Sequence, residues 1–208
     1  GPNSPVHAMK ILCIGRNYAA HAAELGNAVP EEPVVFCKPD SALLGKNLPF
    51  VVPSFSQDIH HELEVVLRIG KVGKHIEPRF AHKYIEAVTV GLDFTARDLQ
   101  SELKSKGLPW EKAKGFDGSA VVGAWKSPGV LDGLNFSLQK NGQTVQFGYV
   151  GDMIHSPAQI IAHLSRYFTL KTGDLIFTGT PAGVGPVVPG DHLEGFLADD
   201  RVFSVNVR

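Results

Sequence analysis

Ile59-His60-His61-Glu62-Leu63-Glu64-Val65-Val66-Leu67-Arg68-Ile69 sets apolar and charged side chains at near-alternating positions, the period-two pattern of a β-strand. A strand of this length needs partners, and the flanking segments supply them. Upstream, the apolar run Lys10 to Gly15 reads as a strand feeding an alanine-rich helix over Asn17 to Leu25, which Gly26 can end. A stretch punctuated by Pro30, Pro33, Pro39, Pro49 and Pro53 follows, and only Val34 to Cys37 and Phe50 to Val52 within it read as short strands. Downstream, Pro78 to Ala87 reads as helical, Val88 to Phe94 as a buried strand, and Thr95 to Lys106 as an amphipathic helix stopped by Gly107 and Pro109.

The C-terminal part continues in strands. Leu134 to Gln139 and Thr144 to Phe147 flank Lys140-Asn141-Gly142-Gln143, where Asn-Gly fits a type I′ hairpin turn. Ser156-Pro157 offers a capping hydroxyl before proline at the first helical position, so a helix is expected over Pro157 to Phe168. Gly173 restarts the sheet, with strands over Asp174 to Phe177, His192 to Phe196 and, after an Asp199-Asp200 turn, Val202 to Val207. Strands outnumber helices, and the helices are scattered rather than alternating with strands. The fold class is therefore α+β and β-rich, not a doubly wound parallel sheet.

A chain of 208 residues that is 43% hydrophobic can bury one core, so residues 9–208 are expected to form a single catalytic domain. Residues 1–8 (GPNSPVHA) read as the remnant of a cleaved tag. A net charge of −1 provides no field to gather nucleic acid or an acidic membrane surface, so neither partner is expected. No run approaches the roughly 18 apolar residues of a membrane span, and no secretory signal is recognisable. The expected location is the cytoplasm. Cys13 and Cys37 both lie in apolar runs and read as reduced core thiols.

Candidate chemistry concentrates on the opening stretch. Glu62 and Glu64, two apart in a strand, project from one face about 6 to 7 Å apart and can converge on a cation, or can equally be two surface glutamates of an edge strand. Asp93 ends the apolar strand before a helix and supplies a third carboxylate. Three carboxylates without cysteine or histidine at metal spacing suit Mg²⁺ or Mn²⁺ better than Zn²⁺. His60 shares the glutamates' face and His61 opposes it, and both read as supporting residues. His21 and Glu24, three apart on the first helix, can form an imidazole–carboxylate proton-transfer pair, although surface pairs share this spacing. Thr178-Gly179-Thr180-Pro181-Ala182-Gly183-Val184-Gly185 can bring backbone N–H groups up to an anion but has no P-loop ending, and an ordinary tight turn explains it as well. Lys114 alone reads as a surface lysine on a loop.

Six ordered motifs together resemble the fumarylacetoacetate hydrolase family, most closely its short acylpyruvase and oxaloacetate decarboxylase branch. They are Gly15-Arg16-Asn17-Tyr18 with His21 and Glu24, Phe36-Cys37-Lys38-Pro39, His60-His61-Glu62-Leu63-Glu64, Gly91-Leu92-Asp93-Phe94-Thr95-Ala96-Arg97-Asp98, Lys106-Gly107-Leu108-Pro109-Trp110 through Lys114, and Thr178-Gly179-Thr180-Pro181. The resemblance runs from Met9 to Arg208. It implies a mixed β-sandwich or roll of the family's C-terminal-domain type with peripheral helices, assembled as a homodimer. It implies Glu62, Glu64 and Asp93 as ligands of Mg²⁺ or Mn²⁺, His21 and Glu24 as a water-activating dyad on a lid helix, and Lys114 as a stabiliser of developing negative charge. Tyr18, Arg97, Gln100 and Thr180 are implied as contacts to a small 2-oxo acid.

The activity so implied is hydrolysis of a C–C bond in an acylpyruvate such as fumarylpyruvate or acetylpyruvate, releasing pyruvate, with oxaloacetate decarboxylation served by the same enolate chemistry. Isomerisation, tautomerisation or hydration of a 2-oxo acid is the related alternative, and a non-catalytic metal-binding protein the alternative of another class. Gly115-Phe116-Asp117-Gly118 departs from the serine-richer loop expected after Lys114, which leaves the shape of that loop open.

Overall fold

A computed structural model describes residues 9–208, so the reading of residues 1–8 lies outside it. The main sheet has six strands in the order β2-β1-β10-β4-β5-β7. These are β1 (Ile11–Gly15), β2 (Val34–Lys38), β4 (Leu63–Ile69), β5 (Ile85–Asp93), β7 (Ala120–Val122) and β10 (Leu175–Phe177). β1 and β10 run parallel and their other neighbours antiparallel, so the sheet is mixed. A second sheet joins β3 (Ile59–His61), β6 (Thr95–Ala96) and β11 (Gly185–Pro186). A third, antiparallel throughout, orders β8 (Asn135–Lys140), β9 (Gln143–Tyr149), β12 (His192–Leu197) and β13 (Asp200–Asn206) as β13-β12-β8-β9. Four helices lie around the sheets: α1 (Ala19–Glu24), α2 (Arg97–Ser105), α3 (Glu111–Lys114) and α4 (Pro157–Tyr167). The β-rich α+β expectation holds.

β4 and the middle of β5 are buried on both faces and read as near-continuous apolar runs, as central strands must. One apolar cluster reaches from Leu12 and Leu63 in the main sheet to Leu138 and Leu193 in the third, joining the layers. Phe50 and Phe94 stack inside it with centroids 3.9 Å apart and planes 14° from parallel.

Local signals translate directly. Asn141 and Gly142 take φ of 54° and 82°, the two positive values a type I′ turn demands. Ser156 accepts from Gln159 N while the Gln159 side chain accepts from Ser156 N, closing a capping box on α4 with Pro157 at the first position.

Five expectations need correction. The strand over Ile59 to Ile69 is two strands, because the chain breaks at Glu62 and passes from the second sheet to the first. Pro78 to Ala87 forms a 3-10 run over Pro78–Tyr84, because Ile85 pairs with Ile69 and its successors belong to β5. Phe50 makes an isolated parallel bridge to Val207, and Phe50 to Val52 form no strand. Cys13 is buried but Cys37 is exposed, since β2 is the sheet edge. Lys114, far from the surface, ends α3 with its side chain buried. Among the described residues, no helix is long and apolar enough to cross a membrane.

The capping box makes a local prediction. Ser156→Ala should cost about 1 kcal/mol, lowering the thermal midpoint by roughly 2 to 4 °C, and an unchanged midpoint would show that Pro157 and packing alone hold the helix start.

Candidate active site

β-pairing gathers the acidic residues. Leu63 faces Leu92 and Glu64 faces Gly91 across the β4–β5 ladder, while Asp93 N donates to Glu62 O at 2.9 Å. Carboxylate oxygens of Glu62, Glu64 and Asp93 consequently lie within 4.8 Å of one another, and all three residues are buried. Glu62 and Glu64 remain on one side despite the break, because Glu62 is the hinge between strands.

Three uncompensated carboxylates at this depth would be prohibitively costly, so cations must accompany them. Lys114 Nζ lies 3.2 Å from Glu62 Oε2 and 3.0 Å from Asp93 Oδ2, and donates to Thr95 Oγ1 at 2.7 Å. Arg97 places a guanidinium nitrogen 2.7 Å from Glu62 Oε2 and gives a second to Gln100 Oε1 at 2.8 Å. Lys38 Nζ lies 2.7 Å from Asp93 Oδ1. Burial pushes the Glu62 carboxyl up, but Lys114 and Arg97 outweigh it and hold the group well below the usual range. Glu64 moves the other way: burial first, then the charges of Asp93 and Glu62, drive its carboxyl well above the usual range. Burial works against the Lys114 ammonium, yet Asp93 and Glu62 reverse the balance and keep it charged.

The donor set fits a divalent cation. Asp93 Oδ1 is buried with no hydrogen-bond donor, since Lys38 approaches it outside hydrogen-bonding geometry. Glu64 can ionise beside two other carboxylates only if positive charge is added. Three hard oxygen donors meet the preferences of Mg²⁺ or Mn²⁺. Neither neighbouring histidine is directed to the cluster: His60 engages Asp58 at 2.8 Å and accepts from Arg97 Nε at 3.3 Å, and His61 Nδ1 sits 2.8 Å from Gln146 Oε1.

The dyad candidates lie on α1. His21 Nδ1 is 3.1 Å from Glu24 Oε1, and the imidazole is buried. Gly183 N donates to both Glu24 oxygens at 3.0 and 3.3 Å. His21, Glu62, Arg97, Lys114, Gln100 and Thr180 line one cleft of about 50 Å³. Of the proposed substrate contacts, Arg97, Gln100 and Thr180 therefore reach the cleft. Tyr18 does not line it: the ring packs against Phe136 and the buried hydroxyl has no partner among the described residues. Burial and the nearby charges of Glu64 and Asp152 push that phenol up. A larger groove of about 690 Å³ shares Val34, Phe36 and Trp110 with the cleft wall but gathers no comparable charges.

Four features escaped the reading of residue types. Lys38 is fully buried among backbone carbonyls of Phe94, Lys114 and Ser119, and a lysine ending an apolar strand was the available signal. Thr95 Oγ1 donates to Glu62 Oε2 at 3.1 Å, relaying Lys114. Gln146 spends its whole amide on the site: Oε1 accepts from Leu63 N at 3.0 Å, and Nε2 donates to Thr180 Oγ1 at 2.8 Å and Pro181 O at 3.0 Å. Gly179 N donates to Glu64 Oε1 at 2.8 Å, so the backbone N–H groups of the glycine-rich loop, Gly183 N among them, reach the protein's own carboxyl groups. Gly179 has φ of 102°, and a Cβ there would stand 2.7 Å from Asn17 Cβ, so only glycine fits.

Replacing Glu64 by alanine removes one of the three oxygens without unpairing a cation. Calorimetric titration with Mn²⁺ should show binding lost, or weakened by more than the roughly 10- to 100-fold that a supporting partner is worth, with the thermal midpoint lowered by the acceptor that Gly179 N loses, and wild-type affinity in Glu64→Ala would remove Glu64 from the ligand set.

Comparison with known proteins shows the family. Residues 10–207 match the family model for the fumarylacetoacetate (FAA) hydrolase C-terminal domain. The chain is 44% identical over 188 residues to Oxaloacetate tautomerase YcgM of Escherichia coli strain K12, covering 88% of this chain and 86% of that protein. It is 44% identical over 189 residues to a mitochondrial oxaloacetate decarboxylase of Dictyostelium discoideum, covering 89% and 87%. The crystal structure of fumarylpyruvate hydrolase from Pseudomonas aeruginosa, in complex with Mn²⁺ and pyruvate, superposes with a TM-score of 0.91 at 38% identity, covering 100% of this chain and 92% of that one. Sequence, fold and acidic cluster lead to one conclusion: the chain belongs to the fumarylacetoacetate hydrolase family.

Proposed function

We propose that this protein is a Mg²⁺- or Mn²⁺-dependent C–C hydrolase that cleaves an acylpyruvate-type 2-oxo acid such as fumarylpyruvate and releases pyruvate. The observation that carries the reading is one small cleft bordered both by Glu62 of the Glu62–Glu64–Asp93 cluster and by His21 of the His21–Glu24 pair. Glu62, Glu64 and Asp93 would hold the cation, which when bound acts as a Lewis acid toward a chelating 2-oxo carboxylate.

The remaining work falls to side chains. With Nδ1–H donated to Glu24, His21 presents the Nε2 lone pair to the cleft, and that atom takes a proton from the attacking water. Glu24, anchored by Gly183 N, fixes the tautomer and stabilises the imidazolium that results. Water adds to the distal carbonyl, the C–C bond breaks toward the 2-oxo fragment, and its carbon is reprotonated to give pyruvate. Lys114, already charged and fixed by three partners, offsets the negative charge that builds on the departing enolate. Arg97 and Gln100, bonded to each other, and Thr180 orient the substrate's oxygens.

A second reading, tautomerisation or decarboxylation of oxaloacetate, is favoured by the 44% identity to proteins named for those reactions. The same dyad can move a proton between carbon and oxygen without cleavage. The homodimer implied by family resemblance belongs to this proposal, as does a cytoplasmic location.

The deciding assay follows pyruvate from fumarylpyruvate, acetylpyruvate and oxaloacetate with Mg²⁺, Mn²⁺ or EDTA. Metal-dependent pyruvate that EDTA abolishes supports hydrolysis or decarboxylation and ranks the substrates. Enol–keto exchange of oxaloacetate without pyruvate would transfer the function to the tautomerase. His21→Ala should lower hydrolytic kcat by about 10²- to 10⁴-fold, the usual worth of a general base, while leaving Mn²⁺ affinity intact, and full hydrolytic activity in that variant would remove His21 from the reaction.

A further inference from the structure

The cations around the cleft are not all accounted for by its carboxylates. Lys114 is matched by Glu62 and Asp93, Lys38 by Asp93, and Arg97 by Glu62. Arg16 and Lys104 line the same cleft, and neither has an acidic partner within ion-pair distance among the described residues. Lys104 makes neutral contacts only, to Asn27 Oδ1 at 3.5 Å and over the Trp110 ring at 6.0 Å. Burial, then Arg16 and Arg97, lower its ammonium's affinity for a proton, so these cations act on one another. Arg16 follows β1 with φ of 57°, a backbone conformation that asparagine and glycine adopt far more readily than arginine. Two chain segments distant in sequence thus bring positive charge without an acidic partner to the same cleft, whose other cations, Arg97 and Lys114, are paired.

We propose that Arg16 and Lys104 form the receptor for a second, distal carboxylate of the substrate, so that the protein selects 2-oxo dicarboxylates over 2-oxo monocarboxylates. The assignment rests on the reading of the cleft as a 2-oxo acid site. The 2-oxo end is provided for by the acidic cluster, Arg97 and Gln100, and the cations left over stand ready for charge elsewhere on the molecule. General attraction of anions is a different effect, because it draws mono- and dicarboxylates alike and fades with salt. A receptor acts on the dicarboxylate alone through charge-assisted hydrogen bonds.

The test compares kcat/KM for fumarylpyruvate and acetylpyruvate in wild type, Lys104→Met and Arg16→Asn at 0.15 M salt. Lys104 is exposed on α2, so its variant is expected to fold, and asparagine tolerates the Arg16 backbone. The dicarboxylate-to-monocarboxylate preference should fall about 10- to 100-fold in each variant, the worth of a lost hydrogen bond to a charged group. Equal loss on both substrates, or an unchanged preference in Lys104→Met, overturns the receptor. If wild type turns over neither substrate, the hydrolase reading fails, and calorimetry on the metal-loaded protein decides the receptor separately. Wild type should then bind 2-oxoglutarate more tightly than 2-oxobutyrate, with Lys104→Met losing that margin, and no margin in wild type counts against the receptor.

Discussion

Three carboxylates buried within 4.8 Å of one another constrain nearly everything around them. Taking such charges out of water costs more than any single contact returns, so the fold must bring compensating charge from several directions. Lys38 comes from the edge strand β2, Lys114 from the end of α3, and Arg97 from the start of α2. Each arrives with further donors engaged: Lys38 by backbone carbonyls, Lys114 by Thr95, Arg97 by Gln100 and His60. Displacing any of these elements is costly, because a displaced lysine would leave both itself and a carboxylate unpaired in the interior.

The same economy explains the break at Glu62. A continuous strand would keep Glu62 within a single ladder, whereas changing sheets at this residue turns its carboxylate toward Lys114 and Arg97. The buried amide freed at the break, Leu63 N–H, is taken by Gln146 from the third sheet, whose other bonds reach His61, Thr180 and Pro181. One side-chain amide thus joins the hinge, the adjoining strand and the glycine-rich loop, and its four bonds exhaust what an amide can form. Positional accuracy at the acidic cluster is set in part by a residue that never touches it.

Features governed by neighbours in sequence were legible in the sequence. The Asn141-Gly142 turn and the Ser156 cap follow from local backbone chemistry, and both match the structure. The carboxylate pair and the third carboxylate were legible from strand periodicity and from the junction at Asp93. Features governed by distant partners were not. The residue that compensates the break at Glu62 lies 83 positions beyond Leu63. Lys114 looked like a surface lysine because its three partners come from strands elsewhere in the chain. Cys13 and Cys37 sit in similar apolar runs, and only the strand order, with β1 inside and β2 at the edge, makes one buried and the other exposed. Family resemblance supplied roles, such as that of Lys114, that single-residue reasoning had no means to reach.

His21 and Glu24 occupy α1, a helix of six residues with no side-chain cap at its start, tied to the glycine-rich loop by the bonds from Gly183 N to Glu24. Base and covering segment are therefore one piece. Were α1 to act as the lid that family resemblance implies, the proposed proton acceptor would leave the cleft with it and return with it. Entry and reactivity would then be alternating conditions of a single short element, and a cleft open to the medium would also be a disarmed one.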